Sequence, residues 1–354
     1  MAHRGVATYR ALWRRRLLFT LAMAAGVAVL AVYSLSVSDF NITFAEAFSC
    51  LADHVAGVPP DGYIKWIMTD IVINDNAPRA ICGIAAGGSL AVSGAVMQSV
   101  TRNPLADPYT IGISSAAMFG VTIAVILGIA VLPSGLEEAG VIANAFAFSL
   151  APAAAILFVA TFRKVTPTMM VLIGIAMMYM FSAFTTFLKF NATDDALAEI
   201  FEWGLGTMAG TDWSSVPPMA VSFAAMALFS MALANKMNVL SAGENASSSL
   251  GVNPARLRVA CFVAVSLATA VTVCFTGTIG FVGLVAPHIA RLFVGSDNKI
   301  LIPVSALVGA FTILGADCIV RLLPGGLPVG VVTALVGSPL FLYFLYRQRK
   351  SMAW

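Results

Sequence analysis

Side chains that could perform chemistry are few in this sequence, and they are widely spaced. The three histidines, His3, His54 and His288, share no H-E-x-x-H or other metal-ligand spacing. The sequence also lacks a G-x-S-x-G nucleophile motif and the G-x-x-x-x-G-K-[ST] loop that cradles the phosphates of ATP. We therefore expect no catalytic residues, no metal site and no ATP hydrolysis by this chain itself.

One charged pair, Asp317 and Arg321, lies inside an otherwise apolar segment. A charge at the bilayer centre costs roughly 2.5–3.5 kcal/mol on insertion scales and usually marks an ion or proton path. A spacing of four residues equally allows an ion pair along one face of a helix. Both interpretations stay open, but a single pair gives little support to a proton-driven carrier.

The elements that must position these residues are membrane-spanning helices. Of the 354 residues, 59% are hydrophobic and only 10% are charged, and the mean hydropathy is +0.91. Soluble domains carry about 25% charged residues, so a soluble globule is excluded, as is a disordered chain. A net charge of +3 is too small to suggest a nucleic-acid partner. The five cysteines are interpreted as apolar packing residues.

Hydropathy predicts an all-α protein with ten spans and both termini in the cytoplasm. The spans are 17–37, 79–100, 109–131, 141–162, 170–190, 217–235, 256–276, 278–294, 301–323 and 327–346. All of the 20 basic residues except Lys65, Arg79, Lys189 and Arg321 then lie on the cytoplasmic side. This distribution follows the positive-inside rule and supports an even number of spans.

Three polar segments flank these spans. Residues 1–16 form a cytoplasmic N-terminal tail, and residues 38–78 form an outer loop with an amphipathic helix over 42–55. Residues 236–255 form an inner loop rich in serine and small residues. Composition does not decide whether this inner loop docks a soluble partner or is a plain linker.

Three long motifs carry more information than the composition. The first contains Pro78-Arg79, then Met97-Gln98, then Arg102-Asn-Pro-Leu-Ala-Asp-Pro108. The second runs from Gly277 to Arg291, and the third runs from Asp317 to Phe341 and includes Leu-Pro-Val-Gly. These motifs resemble the FecCD-type permeases, the membrane subunits of ABC importers for iron–siderophores, haem and vitamin B12.

The resemblance implies a BtuC-like type II ABC importer permease, in which residues 1–354 form a single transmembrane permease domain of about ten helices. It implies a partner permease in the plasma (inner) membrane of a prokaryote. The single complete set of motifs favours a second copy, giving a homodimer, and a paralogous partner stays open. Two cytoplasmic ABC ATPase subunits would use ATP, and an extracytoplasmic substrate-binding protein would deliver the substrate. No covalently bound cofactor is expected on this chain.

The resemblance also assigns the inner loop as the segment that couples the permease to its ATPases. The matching residues are Gly243, Glu244, Ser247, Leu250 and Gly251, with Ser247 standing where alanine is usual. A short helix held in the ATPase cleft would convert closure of the ATPases into rocking of the helix bundle.

The docking arginines of the family match Arg79 and Arg321, which would receive glutamates of the binding protein in charge-assisted contacts. A further arginine that is often found three residues before the first is Asn76 here. This departure predicts weaker docking or different contacts.

A gate and a pathway complete the implied site. The cytoplasmic gate matches Thr166, Pro167 and Thr168, although proline departs from the small hydroxyl residues expected there. Met97 and Gln98 lie on a helix that lines the translocation path in the family. For Gln98, hydrogen bonding to substrate and to a neighbouring helix are both open.

The sequence as a whole therefore predicts translocation of a metal chelate by alternating access. A secondary carrier for a small solute is the alternative, but it requires membrane-buried ionisable groups that are scarce here. A membrane enzyme would require a catalytic cluster. The sequence does not identify which chelate is carried.

Overall fold

A computed structural model describes residues 2–38, 40, 42–132, 137–323 and 325–348. Within these ranges the chain forms fifteen α-helices and no β-strand. The helices are α1 (Ala2–Ser34), α2 (Phe44–Val55), α3 (Tyr63–Asp70), α4 (Ala77–Thr101), α5 (Ile113–Leu127), α6 (Glu137–Ser149), α7 (Ala151–Phe162), α8 (Pro167–Lys189), α9 (Asp194–Leu205), α10 (Val216–Ser241), α11 (Glu244–Ser249), α12 (Pro254–Thr276), α13 (Val282–Val294), α14 (Asn298–Leu322) and α15 (Val329–Gln348).

Ten apolar helical segments are candidates to cross the membrane. Seven are long and apolar enough by themselves, and shorter apolar helices occupy Ile113–Leu127, Val282–Val294 and Val329–Phe344. Each of the ten overlaps one predicted span, so the predicted all-α multi-span fold is confirmed. The side of the membrane on which each terminus lies stays a prediction.

Local backbone chemistry accounts for the differences at the span boundaries. The fourth predicted span is two helices, α6 and α7, and Pro152, which has no backbone N–H to donate, lies in the first turn of α7. The third begins at Ile113 because Gly112 adopts a left-handed conformation after a 3₁₀ turn. The eighth begins at Val282, since Gly277 and Phe281 both have positive φ.

The three polar segments are more ordered than their composition suggests. The amphipathic helix α2 begins at Phe44 because Thr43 and Glu46 form a reciprocal capping box. The outer loop also contains α3 and a π-helical turn, Ile71–Asn76, that continues into α4. The N-terminal tail is helical and continuous with α1, and the inner loop contains α11.

Helix α4 is the axis of the bundle. It packs against α10, α12, α13 and α14, and 89% of its most apolar window is buried, compared with 11% for α1. Small residues allow this packing, because a Cβ on Gly87 would meet the backbone of Gly309 and a Cβ on Gly94 would meet the backbone of Gly283. The middle of α4, between its two ends, is therefore tightly packed against the neighbouring helices.

The five cysteines contribute to this core. All of them are free thiols, and all are buried. Cys82 and Cys261 belong to the two largest clusters of buried apolar side chains. The interpretation of the cysteines as packing residues therefore agrees with the structure.

Candidate functional site

A cluster of three charges lies at the N-terminal end of α4. Nε and Nη2 of Arg79 donate to Oδ1 of Asp317 at 2.8 and 2.6 Å, and Nη2 of Arg321 lies 2.9 Å from Oδ2 of the same carboxylate. The exposed fractions of the side chains are 15% for Arg79, 9% for Arg321 and 3% for Asp317. The ion-pair interpretation of Asp317 and Arg321 is thus the one observed, with Arg79 as a third member.

Arg321 also ties the end of α1 to this cluster. Its Nη1 donates to the carbonyl oxygens of Ser34 and Val37 at 3.0 and 2.7 Å and to Oδ1 of Asn76 at 2.8 Å. Nδ2 of Asn76 donates to the carbonyl of Leu35 at 2.8 Å. The neutral amide of Asn76 therefore links Arg321 to the segment that follows α1. It adds no third positive charge beside the carboxylate of Asp317.

At the opposite end of α4, the predicted coupling residues form a compact, capped turn. Gly243 precedes α11 with a φ of 112°, and Gly251 follows it with a φ of 77°. Ser247 is buried, and its hydroxyl donates to the carbonyl oxygen of Gly243 at 2.5 Å and lies 3.1 Å from that of Val239. A small side chain is therefore required at position 247, and serine satisfies the requirement.

Two coupling residues face outward from this turn. Leu250 is 68% exposed, and the side chain of Glu244 is 53% exposed. An exposed leucine beside a half-exposed carboxylate gives a mixed apolar and acidic surface at the end of the bundle. The structure thus brings all five predicted coupling residues together.

Sequence reasoning missed Arg258, which is buried beside this turn with 2% exposure. Its Nη2 donates to Oε1 of Glu244 at 2.7 Å, and its Nε donates to the carbonyl of Val100 at 3.1 Å. A charged residue placed one turn inside an apolar helix must be paired, and this rule was the signal available in the sequence.

Met97 and Gln98 lie inside the bundle rather than along an open path. Met97 is 1% exposed within the largest apolar cluster. Nε2 of Gln98 donates to the carbonyl of Leu284 at 3.3 Å, and its Oε1 accepts from Arg291 at 3.0 Å. The assignment of Met97 and Gln98 to a pathway therefore stays a prediction. For Gln98, the observed partner is the neighbouring helix.

The predicted gate residues begin α8. The hydroxyl of Thr166 accepts from the amide of Met169 as the N-cap, and Pro167 is the first helical residue, where its missing N–H costs nothing. Thr166 and Thr168 are both exposed. The proline that departs from the family pattern therefore has a local structural role, and the gate assignment stays a prediction.

A cavity of 1120 Å³ lies beside α9, at the opposite end of α12 from Arg258. Glu199 and Trp203 of α9 line it together with Cys274 and residues at the ends of α5 and α6. Among the described residues no group of His, Cys, Asp or Glu is arranged to hold a metal ion, and His288 stacks on Phe344. The cavity is therefore large, but its described lining includes no group of side chains arranged to hold a metal ion.

The comparison that decides the family covers nearly the whole bundle. The FecCD transport family matches residues 26–347. The chain belongs to the FecCD transport family. FecCD membership and the apolar helices make this chain a multi-pass plasma-membrane protein of the kind found in prokaryotes.

Individual relatives agree with the family assignment. An ABC transporter permease protein of Methanocaldococcus jannaschii is 37% identical over 97% of this chain and 98% of its own length. The cobalamin import system permease protein BtuC of Halobacterium salinarum is 40% identical over 78% of this chain and 73% of its own length. This FecCD chain is therefore the permease, or transport component, of an ABC importer.

A solved structure supports the fold independently. An inward-facing transporter described as of the metal-chelate ABC type superposes with a TM-score of 0.80 at 28% identity. The superposition covers 93% of this chain and 98% of that chain. The FecCD permease fold predicted from the sequence is confirmed.

Proposed function

We propose that this permease translocates a metal chelate of the iron–siderophore, haem or cobalamin class by alternating access. The observation that carries the proposal is α11, a short helix beside which Leu250 and Glu244 are exposed at one end of an otherwise apolar bundle. Such a surface suits docking of a soluble motor, which this chain needs because its sequence lacks an ATP-binding loop. The metal-chelate transporter structure and the cobalamin permease favour this class of substrate.

The proposed complex contains two copies of this chain, two cytoplasmic ABC ATPases and an extracytoplasmic binding protein. Helix α8 has a largely uncovered surface that lipid or a second copy could contact, because only 17% of its apolar window is buried within one chain, as for α10. Tyr179, Phe184 and Phe187 are exposed on it. The ATPases use the ATP, and the permease carries no covalently bound cofactor.

The binding protein is proposed to dock at Arg79 and Arg321. Two guanidinium groups facing the single carboxylate of Asp317 leave one positive charge in excess at this end of the bundle. Carboxylates of a partner would complement this charge and orient the complex. Both arginines are largely buried, and Arg79, at 15% exposure compared with 9% for Arg321, is the more accessible of the two to a partner carboxylate.

The inner residues supply the conformational part of the proposal. Gly243, Glu244, Ser247, Leu250 and Gly251 form the coupling segment that follows closure of the ATPases. The exposed threonines beside Pro167 at the start of α8 form the cytoplasmic gate.

Reconstitution tests the proposal as a whole. The chain is purified with its candidate ATPase, placed in liposomes with the binding protein, and supplied with cyanocobalamin, haemin or a ferric hydroxamate. ATP-dependent uptake of one compound, with stimulation of ATPase activity by the loaded binding protein, is the expected result. Uptake that follows an ion gradient and ignores ATP would overturn the proposal in favour of a secondary carrier.

A further inference from the structure

We infer that Arg258 is a positioning residue that transmits movement of α11 to α4 during the transport cycle. The inference rests on the proposed function, because it assigns a role within the coupling of ATPase to permease. It follows from three features of the inner end of the bundle: the burial of Arg258, the two elements that it joins, and the packing of α4.

Arg258 joins two elements that do not otherwise share a side-chain hydrogen bond among those described. One edge of its guanidinium bonds Glu244 at the start of α11, while Nε bonds the carbonyl of Val100 near the end of α4. The guanidinium group is planar and holds its donors in a fixed fork. The fork therefore fixes the position of α11 relative to the end of α4.

The carbonyl of Val100 is free to accept this bond because α4 ends there. Helix α4 stops at Thr101, and Arg102 has left-handed backbone dihedral angles. The residue four positions after Val100 is Pro104, which has no N–H. An arginine at this position satisfies an orphan carbonyl and complements the negative end of the helix dipole.

The two members of the ion pair, Arg258 and Glu244, differ in accessibility. Arg258 itself is 2% exposed, whereas the side chain of Glu244 is 53% exposed. A protein that docks on α11 can therefore contact Glu244 directly, and Arg258 connects that contact to the buried carbonyl of Val100 in α4. This asymmetry is what a mechanical connection between a docking surface and a buried helix requires.

Helix α4 can carry the displacement further because its middle is locked to neighbouring helices. Gly94 lies against the backbone of Gly283 in α13, and Gly87 lies against Gly309 in α14. Gln98 adds hydrogen bonds to α13. A shift at Val100 is thus passed to a packed unit instead of being absorbed by local bending.

The test uses the complete complex in liposomes and the ratio of compound transported to ATP hydrolysed. Arg258→Met keeps an extended side chain but removes both bonds, and Arg258→Lys keeps the charge on a single ammonium. Arg256→Met is the matched control, since Arg256 lies on the same helix and is exposed. The probes are cyanocobalamin, haemin and a ferric hydroxamate, together with the binding protein.

We expect Arg258→Met to lower transport per ATP about tenfold, a typical coupling between sites. Arg258→Lys should recover part of the ratio, and Arg256→Met should match the wild-type complex. A purely structural role would lower ATP hydrolysis and transport in proportion, and that result would overturn the inference. A wild-type ratio in Arg258→Met would overturn it as well.

A second measurement covers the case in which Arg258→Met does not fold. Arg258→Lys and Glu244→Gln are then combined, because both retain hydrogen-bonding side chains. Non-additive effects on transport per ATP support a shared connection, and strictly additive effects overturn it. Absence of ATP-dependent uptake by the wild-type complex would instead count against the proposed function itself.

Discussion

The two ends of α4 both hold buried arginines, but they hold them differently. At the N-terminal end, Arg79 and Arg321 share Asp317, and all three side chains are at most 15% exposed. At the C-terminal end, the buried Arg258 is paired with Glu244, which is half exposed. We call the first group the closed cluster and the second the open pair.

The difference indicates what each end can do. Removing one partner of a buried ion pair costs about 3–5 kcal/mol, whereas exposed pairs contribute about 0–1 kcal/mol. The closed cluster therefore holds α4, α14 and the end of α1 together. The open pair has a partner that another protein can reach, so it suits a site whose contacts change.

The largest effect is expected from Asp317→Asn. This change leaves Arg79 and Arg321 buried without a counter-charge, and we expect a destabilisation of about 3–5 kcal/mol. Thermal unfolding of the purified chain in detergent measures it. Asp53→Asn is the control, because Asp53 forms a 2.7 Å pair with Lys65 in which both side chains are about one-third exposed. Equal stability of the two variants would contradict a closed cluster.

The next effect concerns the packed region between the two ends. Gly94→Ala would place a methyl group against the backbone of Gly283, and we expect a loss of about 1–3 kcal/mol from overpacking. Gly280→Ala is the matched control, because a Cβ there meets nothing within 4 Å. If both variants unfold at the wild-type temperature, the two ends are not joined by a rigid helix.

A smaller effect is expected at the edge of the closed cluster. Asn76→Ala removes one of three acceptors for Nη1 of Arg321 and the donor to Leu35, so we expect a loss of about 1 kcal/mol. The exposed Asn74 in the same π-helical turn provides the comparison, since its amide bonds only the exposed Asp70 among the contacts described. In chemical denaturation we expect a lower midpoint for Asn76→Ala than for Asn74→Ala. Identical midpoints would argue against the hydrogen bonds by which Asn76 joins Arg321 to Leu35.

A comparably small change in stability is expected at the open pair. Glu244→Gln removes the counter-charge of the buried Arg258 but keeps an acceptor for it at a half-exposed position, so we expect a loss of about 1 kcal/mol, well below that of Asp317→Asn. Its effect should instead be seen in transport per ATP. A large shift in unfolding temperature with unchanged coupling would reverse the distinction between the two ends.

Sequence reasoning recovered the elements of this fold better than their contacts. Hydropathy predicted a span at each of the ten candidate apolar segments, because long apolar runs are a strong signal. The pair of Asp317 and Arg321 was accessible from its spacing of four residues. Arg79 lies 238 positions from Asp317, and no local pattern indicates a contact over that distance.

The rotation of a helix about its own axis was equally inaccessible. The sequence does not show which neighbours Met97 and Gln98 meet. Met97 lies in the largest apolar cluster, whereas Gln98 bonds Leu284 and Arg291 of α13. Arg258 was overlooked because its neighbour Arg256 made both residues resemble ordinary positive charges at a helix end. Only the fold distinguishes the exposed arginine from the buried one.

The burial of all five cysteines has a practical consequence for chemical labelling. A hydrophilic maleimide reacts with thiols that water can reach. Cys50, Cys82, Cys261 and Cys318 are buried in the protein, whereas Cys274, although buried as well, lines the cavity beside α9. A chain carrying Cys274→Ala can therefore serve as the unreactive background. A single cysteine introduced at the exposed Leu250 would then report, through its rate of modification, when a second protein covers that end of the bundle.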